Sequence, residues 1–381
     1  MNAAASPARL KPGSQPLRPA EAIRVMLIDD SLTVRTIFKR MIGSDPQMVI
    51  AGTASSAERG IAQLVDADAD VILLDLEMPG MGGLEALPKI LRTAPAAQVM
   101  VVSSLTEDGA EETIEALSRG AADTMLKPRP GGFNDEYRIT LLDKIRALGA
   151  PESASDGNAS EAGSTAANAP AQPHQHRRTK TPQVLAIGAS TGGIHALNIL
   201  LRQLNDDFDL PILITQHLPS SFIPVFARQI EVASGRTTRI ADDGTEIGRG
   251  EIAIATGHGH MNVRRVGDSL VTRISAEPTS SGCLPSVDPM LASLSDACDG
   301  HAIAVILSGM GRDGFDGASV LSAAGGTVWA QDADTSAVWG MPGAVAKAGL
   351  TSYVASPEAL GSALVSEFIK SWQPARDQVL S

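Results

Sequence analysis

Short aliphatic runs alternate with stretches of helical spacing along most of the chain. The aliphatic runs predict buried strands, and the helical patterns between them predict covering helices. This alternation is typical of βαβ units, so it predicts a parallel sheet. Five strands and five helices in the N-terminal part suit a doubly wound open sheet with strand order 2-1-3-4-5. The predicted strands are Ile23–Ile28, Met48–Thr53, Val71–Leu74, Gln98–Val102 and Asp123–Leu126.

The C-terminal half repeats the alternation and predicts a second α/β domain with a mainly parallel sheet. Its clearest strand candidates are Val184–Ile187, Ile212–Thr215 and Ala302–Leu307. Helices are expected over Ile194–Leu204 and around Ala318–Ala323. The chain is therefore predicted to hold two domains of the same fold class.

Segment 150–181 separates the two patterned regions. It has almost no large apolar residue and is dominated by Ala, Ser, Gly, Pro and Asn. Such a segment buries too little surface to offset its ordering entropy, so we expect a flexible linker. The predicted organisation is a disordered tail (1–21), a first domain (22–149), the linker (150–181), a second domain (182–373) and a C-terminal tail (374–381).

Composition narrows the classes of protein. The formal net charge of -12 disfavours a nucleic-acid binder, which needs cationic side chains to neutralise phosphates. The two cysteines, Cys283 and Cys298, are too few for a disulfide framework and favour free thiols in a reducing compartment. The apolar runs are far shorter than a membrane span, and the N-terminus lacks the apolar core of a secretory signal. We therefore expect a cytoplasmic protein without direct membrane insertion.

Polar residues follow the predicted strands of the first domain. Asp29 and Asp30 come after the first strand, Asp75 after the third, Ser103 after the fourth and Lys127 after the fifth. The carboxyl ends of parallel strands meet at one edge of the sheet, so these side chains are expected to converge. Converging carboxylates favour a hard cation such as Mg²⁺. The set suits an aspartate that accepts a phosphoryl group.

The motifs LIDDS, LLDLEMPGMGG, VVSS and LKP, in this order, resemble a response-regulator receiver domain with a flavodoxin-like fold. The resemblance covers about residues 22–147. It implies that Asp75 is the phosphorylated residue, and that Ser103 and Lys127 contact the phosphoryl group. Thr124 stands where receivers usually carry an aromatic switch residue. The implied Mg²⁺ ligands are Asp29, Asp30, Asp75 and the backbone carbonyl of Glu77.

A different constellation follows the strands of the second domain. Ser190 lies in a G-x-S-x-G turn, which fits either an exposed nucleophile or a plain tight turn. His217 follows the next strand, where it is either a base or a structural histidine. Asp313 follows a third strand, as an acid orienting the histidine or as a helix N-cap. The spacings of His and Cys match no common zinc pattern.

The segments IGASTGG, ITQHLPSSFIPVFARQ, LPSVDPML, VILSGMGRDG and AQDADTSAVWGMPGAV resemble the catalytic domain of chemotaxis protein-glutamate methylesterases. This resemblance implies Ser190 as nucleophile, His217 as base and Asp313 as orienting acid. It also implies an oxyanion contact from the Met310 N–H and assistance from Thr191. Two residues depart from the family pattern: Thr256 replaces a proline, and Cys283 replaces a residue that is often basic.

The two resemblances together imply a phosphorylation-regulated hydrolase whose phosphoryl group is supplied by a chemotaxis histidine kinase. Its substrates would be glutamate methyl esters, and glutamines for deamidation, on the cytoplasmic helices of chemoreceptors. Hydrolysis would need no cofactor, and Mg²⁺ would serve only the receiver. The unphosphorylated receiver would cover the esterase site. Two other readings remain open at this point: a second domain that only binds a partner, and a hydrolase of small esters in general.

Overall fold

The computed structural model describes residues 22–104, 106–128, 132–149 and 180–371. The predicted tails at 1–21 and 374–381 lie outside these ranges, and so does the predicted linker except for its last two residues. The described residues form two parallel sheets, each covered by helices, and one small antiparallel sheet.

The first sheet has five parallel strands in the order β2-β1-β3-β4-β5. This confirms the predicted flavodoxin-like fold and strand order. The strands extend at most one residue beyond the predicted ends, because the polar residue that closes β3 or β4 still pairs in the ladder. They are β1 (Ile23–Ile28), β2 (Met48–Ala54), β3 (Val71–Asp75), β4 (Gln98–Ser103) and β5 (Asp123–Leu126).

Five helices cover the faces of this sheet, and side chains cap the start of several of them. The Ser31 hydroxyl accepts a hydrogen bond from the Val34 N–H and so satisfies a free donor of the first turn. The helices are α1 (Leu32–Ile42), α2 (Ala57–Leu64), α3 (Gly83–Thr93), α4 (Glu107–Ser118) and α5 (Asp135–Gly149).

The second sheet has seven parallel strands in the order β15-β14-β13-β6-β7-β10-β8. The expected mainly parallel sheet is therefore confirmed. Its central strands β13, β6 and β7 are neighbours, so the loops that follow them open at the same sheet edge. The strands are β6 (Leu185–Ala189), β7 (Ile212–Gln216), β8 (Thr238–Ile240), β10 (Ile252–Ile254), β13 (Ile303–Ile306), β14 (Thr327–Gln331) and β15 (Tyr353–Ala355).

Three strands form an antiparallel sheet that the sequence patterns did not predict, in the order β11-β12-β9. The segment around His260 reads as a glycine-rich loop, yet His260 is the first residue of a strand. The strands are β9 (Glu246–Ile247), β11 (His260–Val266) and β12 (Ser269–Ser275). The helices are α6 (Gly193–Gln203), α7 (Ile223–Ser234), α8 (Val287–Ala297), α9 (Phe315–Ala323), α10 (Met341–Lys347) and α11 (Pro357–Ser371), with a 3-10 turn at Ser220–Phe222.

The first domain packs on the second through α4 and the start of β5. On α6, His195 Nδ1 lies 2.9 Å from the Ser118 backbone oxygen. Asn198 Nδ2 donates to the Ser118 Oγ at 2.8 Å. Arg228 of α7 forms an ion pair with Glu111 of α4 at 2.8 Å. None of the helices within the described residues combines the length and the apolar character that crossing a membrane requires.

Candidate active site and receiver acid cluster

The turn between β6 and α6 holds Ser190 close to the β13 edge. Its N–H donates to the Ser308 oxygen at 3.0 Å. Gly192, two residues later, has a φ of +75°, and a Cβ there would lie 2.7 Å from the Ser308 Oγ. Only glycine meets both demands without strain. The tight turn therefore keeps Ser190 against the loop that follows β13.

His217 and Asp313 meet at the same edge. His217 directly follows β7, and its N–H donates to the Ala189 oxygen at 3.1 Å. Its Nε2 lies 2.7 Å from Asp313 Oδ2. Asp313 is 2% exposed, and the N-cap of α9 is Gly314. Asp313 is therefore a buried partner of the imidazole, and the competing interpretation as a helix cap is wrong.

Two further donors hold the Asp313 carboxylate in place, and a histidine holds one of them. The Ser286 hydroxyl donates to Oδ1 at 2.5 Å, and the Val287 N–H donates to Oδ2 at 2.7 Å. The Ser286 N–H in turn donates to His260 Nδ1 at 3.0 Å. His260 Nε2 lies 2.9 Å from the Glu277 oxygen, an arrangement in which Nε2 carries the proton. The acid is thus fixed by the segment at the start of α8.

Burial and hydrogen bonding have opposite effects on the pKa values of His217 and Asp313. Burial alone would lower the pKa of His217, but the hydrogen bonds with Asp313 and Cys283 outweigh it and raise that pKa above its usual value. Burial alone would raise the pKa of Asp313, but its bonds with His217, Ser286 and Val287 lower that pKa. Asp313 is therefore ionised at neutral pH and stabilises a protonated imidazole.

Ser190 and His217 line the same cavity. A cavity of about 580 Å³ is lined by Ser190, Gln216 and His217. No hydrogen bond joins the Ser190 hydroxyl to the imidazole among the residues that the structure describes. Because Nε2 faces Asp313, the ring nitrogen left for the serine is Nδ1. Loose contacts of this kind are common before substrate is bound.

The loop after β13 brings Met310 beside the serine. A Cβ added at Gly309 would lie 2.9 Å from Ser190 Cβ, so the two backbones run in close contact. Met310 follows Gly309 directly, and 42% of its surface is exposed to solvent. Its N–H has no acceptor within the described ranges, which leaves it available to a ligand.

The first domain forms part of the wall of this cavity. The Thr191 hydroxyl donates to Asp123 Oδ2 at 2.7 Å, and Lys144 Nζ lies 2.7 Å from the same oxygen. The Gly192 N–H donates to the Ala122 oxygen at 2.6 Å. The start of β5 is therefore bonded to the two residues that follow Ser190.

A cluster of acids lies at the carboxyl edge of the first sheet. Ligand oxygens of Asp29, Asp30 and Asp75 are all within 4.8 Å of one another. Lys127 Nζ lies 2.6 Å from Asp75 Oδ2 and 3.9 Å from Asp29 Oδ2. Burial raises the pKa of Asp75 to about 6 although Lys127 lowers it, and burial also raises the pKa of Asp29. The Glu77 N–H donates to Asp75 Oδ1 at 3.0 Å.

Several buried polar atoms of the first domain, including a carboxylate oxygen of the acid cluster, make no hydrogen bond within the described residues. Asp29 Oδ2 and Ser103 Oγ are buried and make no hydrogen bond within the described part of the chain. The same is true of Thr124 Oγ1 and the Tyr137 hydroxyl. Burial, with a smaller effect from the Asp29 charge, raises the pKa of Tyr137. Unpaired buried oxygens on carboxylates fit a hard cation, because Mg²⁺ takes oxygen ligands.

Two family models match the chain. The receiver domain of response regulators matches residues 25–132, and the CheB methylesterase domain matches residues 185–364. The protein-glutamate methylesterase/protein-glutamine glutaminase 2 of Caulobacter vibrioides is 40% identical over 348 residues, which cover 90% of this chain and 98% of the relative. The chain belongs to the protein-glutamate methylesterase/protein-glutamine glutaminase family.

Other members of this family give the same result. The enzyme of the same name from Maricaulis maris is 36% identical over 385 residues, which cover 91% of this chain and 96% of the relative. Among solved structures, the Thermotoga maritima CheB methylesterase catalytic domain is 32% identical. It covers 49% of this chain and 99% of its own, with a TM-score of 0.48.

The sequence patterns missed residues that act on the site through other residues. Ser286 and His260 hold Asp313, and Gln216 Nε2 donates to the Ser190 oxygen at 3.0 Å. Ser286 and Gln216 stand in the segments LPSVDPML and ITQHLPSSFIPVFARQ, and His260 matches a family histidine outside the triad. Neither periodicity nor motif predicts their contacts, because each contact joins segments distant in sequence. Thr256, which replaces the family proline, is 2% exposed, and its hydroxyl donates to the Gly259 oxygen at 3.5 Å. A side-chain bond thus spans this loop.

The raised pKa of His217 predicts an alkaline-shifted activity profile. A base must be neutral, so kcat/KM for ester hydrolysis should fall as pH drops through the raised pKa. We expect the inflection above the ordinary histidine value of 6.5. The salt-bridged pair should stabilise the fold most between the ordinary pKa values of its members, 3.8 for the carboxyl and 6.5 for the imidazole. This stabilisation should fade as pH rises through the raised pKa of His217 and as pH falls through the lowered pKa of Asp313. Methanol release measured across pH tests the first point, and an inflection at or below 6.5 would contradict it.

Proposed function

We propose that this chain hydrolyses glutamate methyl esters, and deamidates glutamines, on the cytoplasmic helices of methyl-accepting chemoreceptors. Membership of the protein-glutamate methylesterase family supports the reaction. The observation that carries the proposal is the 2.7 Å contact between His217 and Asp313 in a cavity that Ser190 also lines. A domain that only binds a partner has no need of a buried carboxylate fixed against an imidazole.

In the proposed mechanism Ser190 Oγ attacks the ester carbonyl while His217 takes the hydroxyl proton. The Met310 N–H donates to the oxygen that becomes negative, a contribution that grows in the transition state. His217 then passes the proton to the leaving methoxide, and methanol departs. Water hydrolyses the acyl-enzyme by the same steps, and with a glutamine substrate ammonia leaves in place of methanol. These steps need no cofactor.

Asp313 keeps the imidazole in the tautomer and orientation that the first step requires. With Nε2–H donated to the carboxylate, the lone pair is on the other ring nitrogen and is free to accept the serine proton. Asp313 also stabilises the imidazolium that forms. Thr191 assists from the same turn once its hydroxyl is released from Asp123.

Phosphorylation of Asp75 would regulate the esterase. Mg²⁺, held by Asp29, Asp30, Asp75 and the Glu77 carbonyl, would neutralise charge on the incoming phosphoryl group. Lys127 and the unpaired Ser103 hydroxyl are in position to contact its oxygens. A chemotaxis histidine kinase is the proposed donor. Because the first domain is bonded at Thr191 and Gly192, the resting state covers the cavity, and phosphorylation would favour an open state.

The proposed activity is tested by measuring methanol release from methylated chemoreceptor membranes. We expect release by the full chain, and faster release after treatment with a small phosphoryl donor and Mg²⁺. Hydrolysis of a simple aryl ester, measured in parallel, should be slow in comparison. An enzyme that cleaves the aryl ester but leaves the receptor methylated would instead be a hydrolase of small esters.

Removing the carboxylate that joins the two domains should raise the basal rate. In Asp123→Ala, Thr191 loses its partner across the interface. A hydrogen bond to a charged group contributes about 1.5 kcal/mol or more, so the ratio of open to closed protein should rise by about tenfold or more. We expect faster methanol release from the unphosphorylated protein.

Lys144→Ala is the matched control for this variant. Lys144 contacts the same Asp123 oxygen but belongs to the first domain, so it tests the effect of disturbing that domain alone. We expect a basal rate close to wild type. Equal rates for Asp123→Ala and the wild-type protein would exclude the Thr191 contact as part of the closed state.

A further inference from the structure

A thiol lies against the imidazole and the carboxylate of the esterase site. Cys283 is in the loop between β12 and α8, and it is half-buried. Its Sγ donates a weak hydrogen bond to the Ser281 oxygen at 3.9 Å. One donor atom from each of Cys283, His217 and Asp313 lies within 4.8 Å of the other two. The proposed hydrolysis uses the histidine and the aspartate and leaves the thiol without a role.

The chemistry of these three donors differs from that of the receiver cluster. The receiver cluster offers carboxylate oxygens, which suit Mg²⁺. The esterase cluster offers one thiol sulfur, one imidazole nitrogen and one carboxylate oxygen. Zn²⁺ takes this mixture of ligands, and three protein ligands leave a fourth position for water. The ligand types of the two clusters therefore favour different metals, Mg²⁺ at the receiver cluster and Zn²⁺ at the esterase cluster.

The geometry needs only a small adjustment to hold an ion. Tetrahedral zinc places neighbouring donor atoms roughly 3.3 to 3.7 Å apart. Cys283 follows Gly282, which has a φ of +69° and nothing within 4 Å of the place where a Cβ would stand. Residues 276–286 belong to no helix or strand, so a small shift of the sulfur breaks no helix or ladder hydrogen bond. The carboxylate is already fixed by Ser286 and Val287.

We propose that His217, Cys283 and Asp313 form a zinc site whose occupation inhibits the esterase reversibly. The Cys283 thiol and the protonated His217 imidazole each release one proton to solvent as they bind, while the ionised Asp313 carboxylate binds without losing a proton. A neutral imidazole has one lone pair. Once the metal takes it, the other ring nitrogen carries the hydrogen and no longer accepts the proton of Ser190. The inhibitory effect rests on the proposed function, whereas the metal site does not.

The inhibition is tested on the full chain with methylated receptor and increasing Zn²⁺. We expect zinc to stop methanol release and EDTA to restore it. In Cys283→Ala the inhibition constant, measured relative to that variant's own zinc-free rate, should rise at least about tenfold, since even partners of ligands change affinity by about 10- to 100-fold. Cys298→Ala, at the buried end of α8, is the matched control and should keep the wild-type constant. Equal inhibition of the wild type and Cys283→Ala would overturn the proposal.

Cobalt binding tests the site separately from the activity. Co²⁺ bound to a thiolate gives a near-ultraviolet charge-transfer band, so we expect this band in the wild type and in Cys298→Ala but not in Cys283→Ala. Ser190→Ala should keep the band, because its three metal ligands are intact. If Ser190→Ala shows the band but the wild-type protein shows no esterase activity, the metal site is supported and the proposed function is rejected. Loss of the band in Cys298→Ala would contradict a metal site at Cys283.

Discussion

Replacing Ser190 with alanine is expected to slow methanol release by about 10⁶-fold, the loss typical of removing the nucleophile of a Ser-His-Asp triad. The structure gives the reason: Ser190 lies in the cavity of His217, with the Gly309 backbone packed against its Cβ. Alanine keeps the Cβ and removes only the reacting oxygen. Release is measured in a single turnover on methylated receptor, with binding of receptor measured beside it.

Ser362→Ala is the control for this prediction. Ser362 is an exposed serine on α11, and the contact it makes with Ser366 uses its backbone oxygen. Its rate should match the wild type. A Ser190→Ala protein that retains a tenth of the wild-type rate would exclude Ser190 as the nucleophile and would favour direct attack by water.

The sheet edges of both domains could be predicted from sequence because the signal is local. Apolar runs define the parallel strands, and the polar residue after each run must then lie at the carboxyl edge. Asp75, Ser103 and His217 all follow this rule within one residue. Asp313 lies seven residues beyond the end of β13, so its side chain could have pointed elsewhere. Tertiary contacts with Ser286 and Val287 decide its place.

Contacts between distant segments could not be predicted in the same way. The bond between Thr191 and Asp123 joins two domains across 68 residues, and periodicity carries no information about it. Cys283 meets His217 through a loop without regular structure. The antiparallel strands β11 and β12 were missed because charged residues interrupt their alternation; Arg264 and Arg265 are consecutive and exposed.

Position 124 of the first domain carries Thr124 where receivers usually carry an aromatic residue. Thr124 has no ring, and its hydroxyl is buried and unpaired. Aromatic rings lie instead near α5, where Tyr137 stacks on Phe38 at 6.4 Å and its hydroxyl is buried. The charge of Asp29 acts on Tyr137, so this ring is within electrostatic reach of the acid cluster. The receiver motif predicts an aromatic residue only at position 124. It makes no prediction about an aromatic residue on α5.

Replacing Asp313 with asparagine is expected to slow methanol release by about 10⁴-fold, as in serine hydrolases whose orienting acid becomes an amide. The carboxylate accepts bonds from His217, Ser286 and Val287 at once. An amide has one accepting oxygen, which serves His217 and Val287 only if the nitrogen takes the place of Oδ1 and the Ser286 hydroxyl turns to accept. In the reverse orientation the nitrogen faces the Val287 N–H and forces the imidazole into the other tautomer. The charge that stabilises the imidazolium is lost as well.

The pH profile distinguishes this role from a structural one. Without the carboxylate, burial lowers the pKa of His217, so the inflection of any residual activity should move to lower pH. Asp316→Asn is the matched control, because this exposed carboxylate accepts a bond from Ser280 and lies one turn further along the chain. It should leave both rate and inflection unchanged. If Asp313→Asn loses activity while keeping the wild-type inflection, Asp313 supports the loop and does not act through His217.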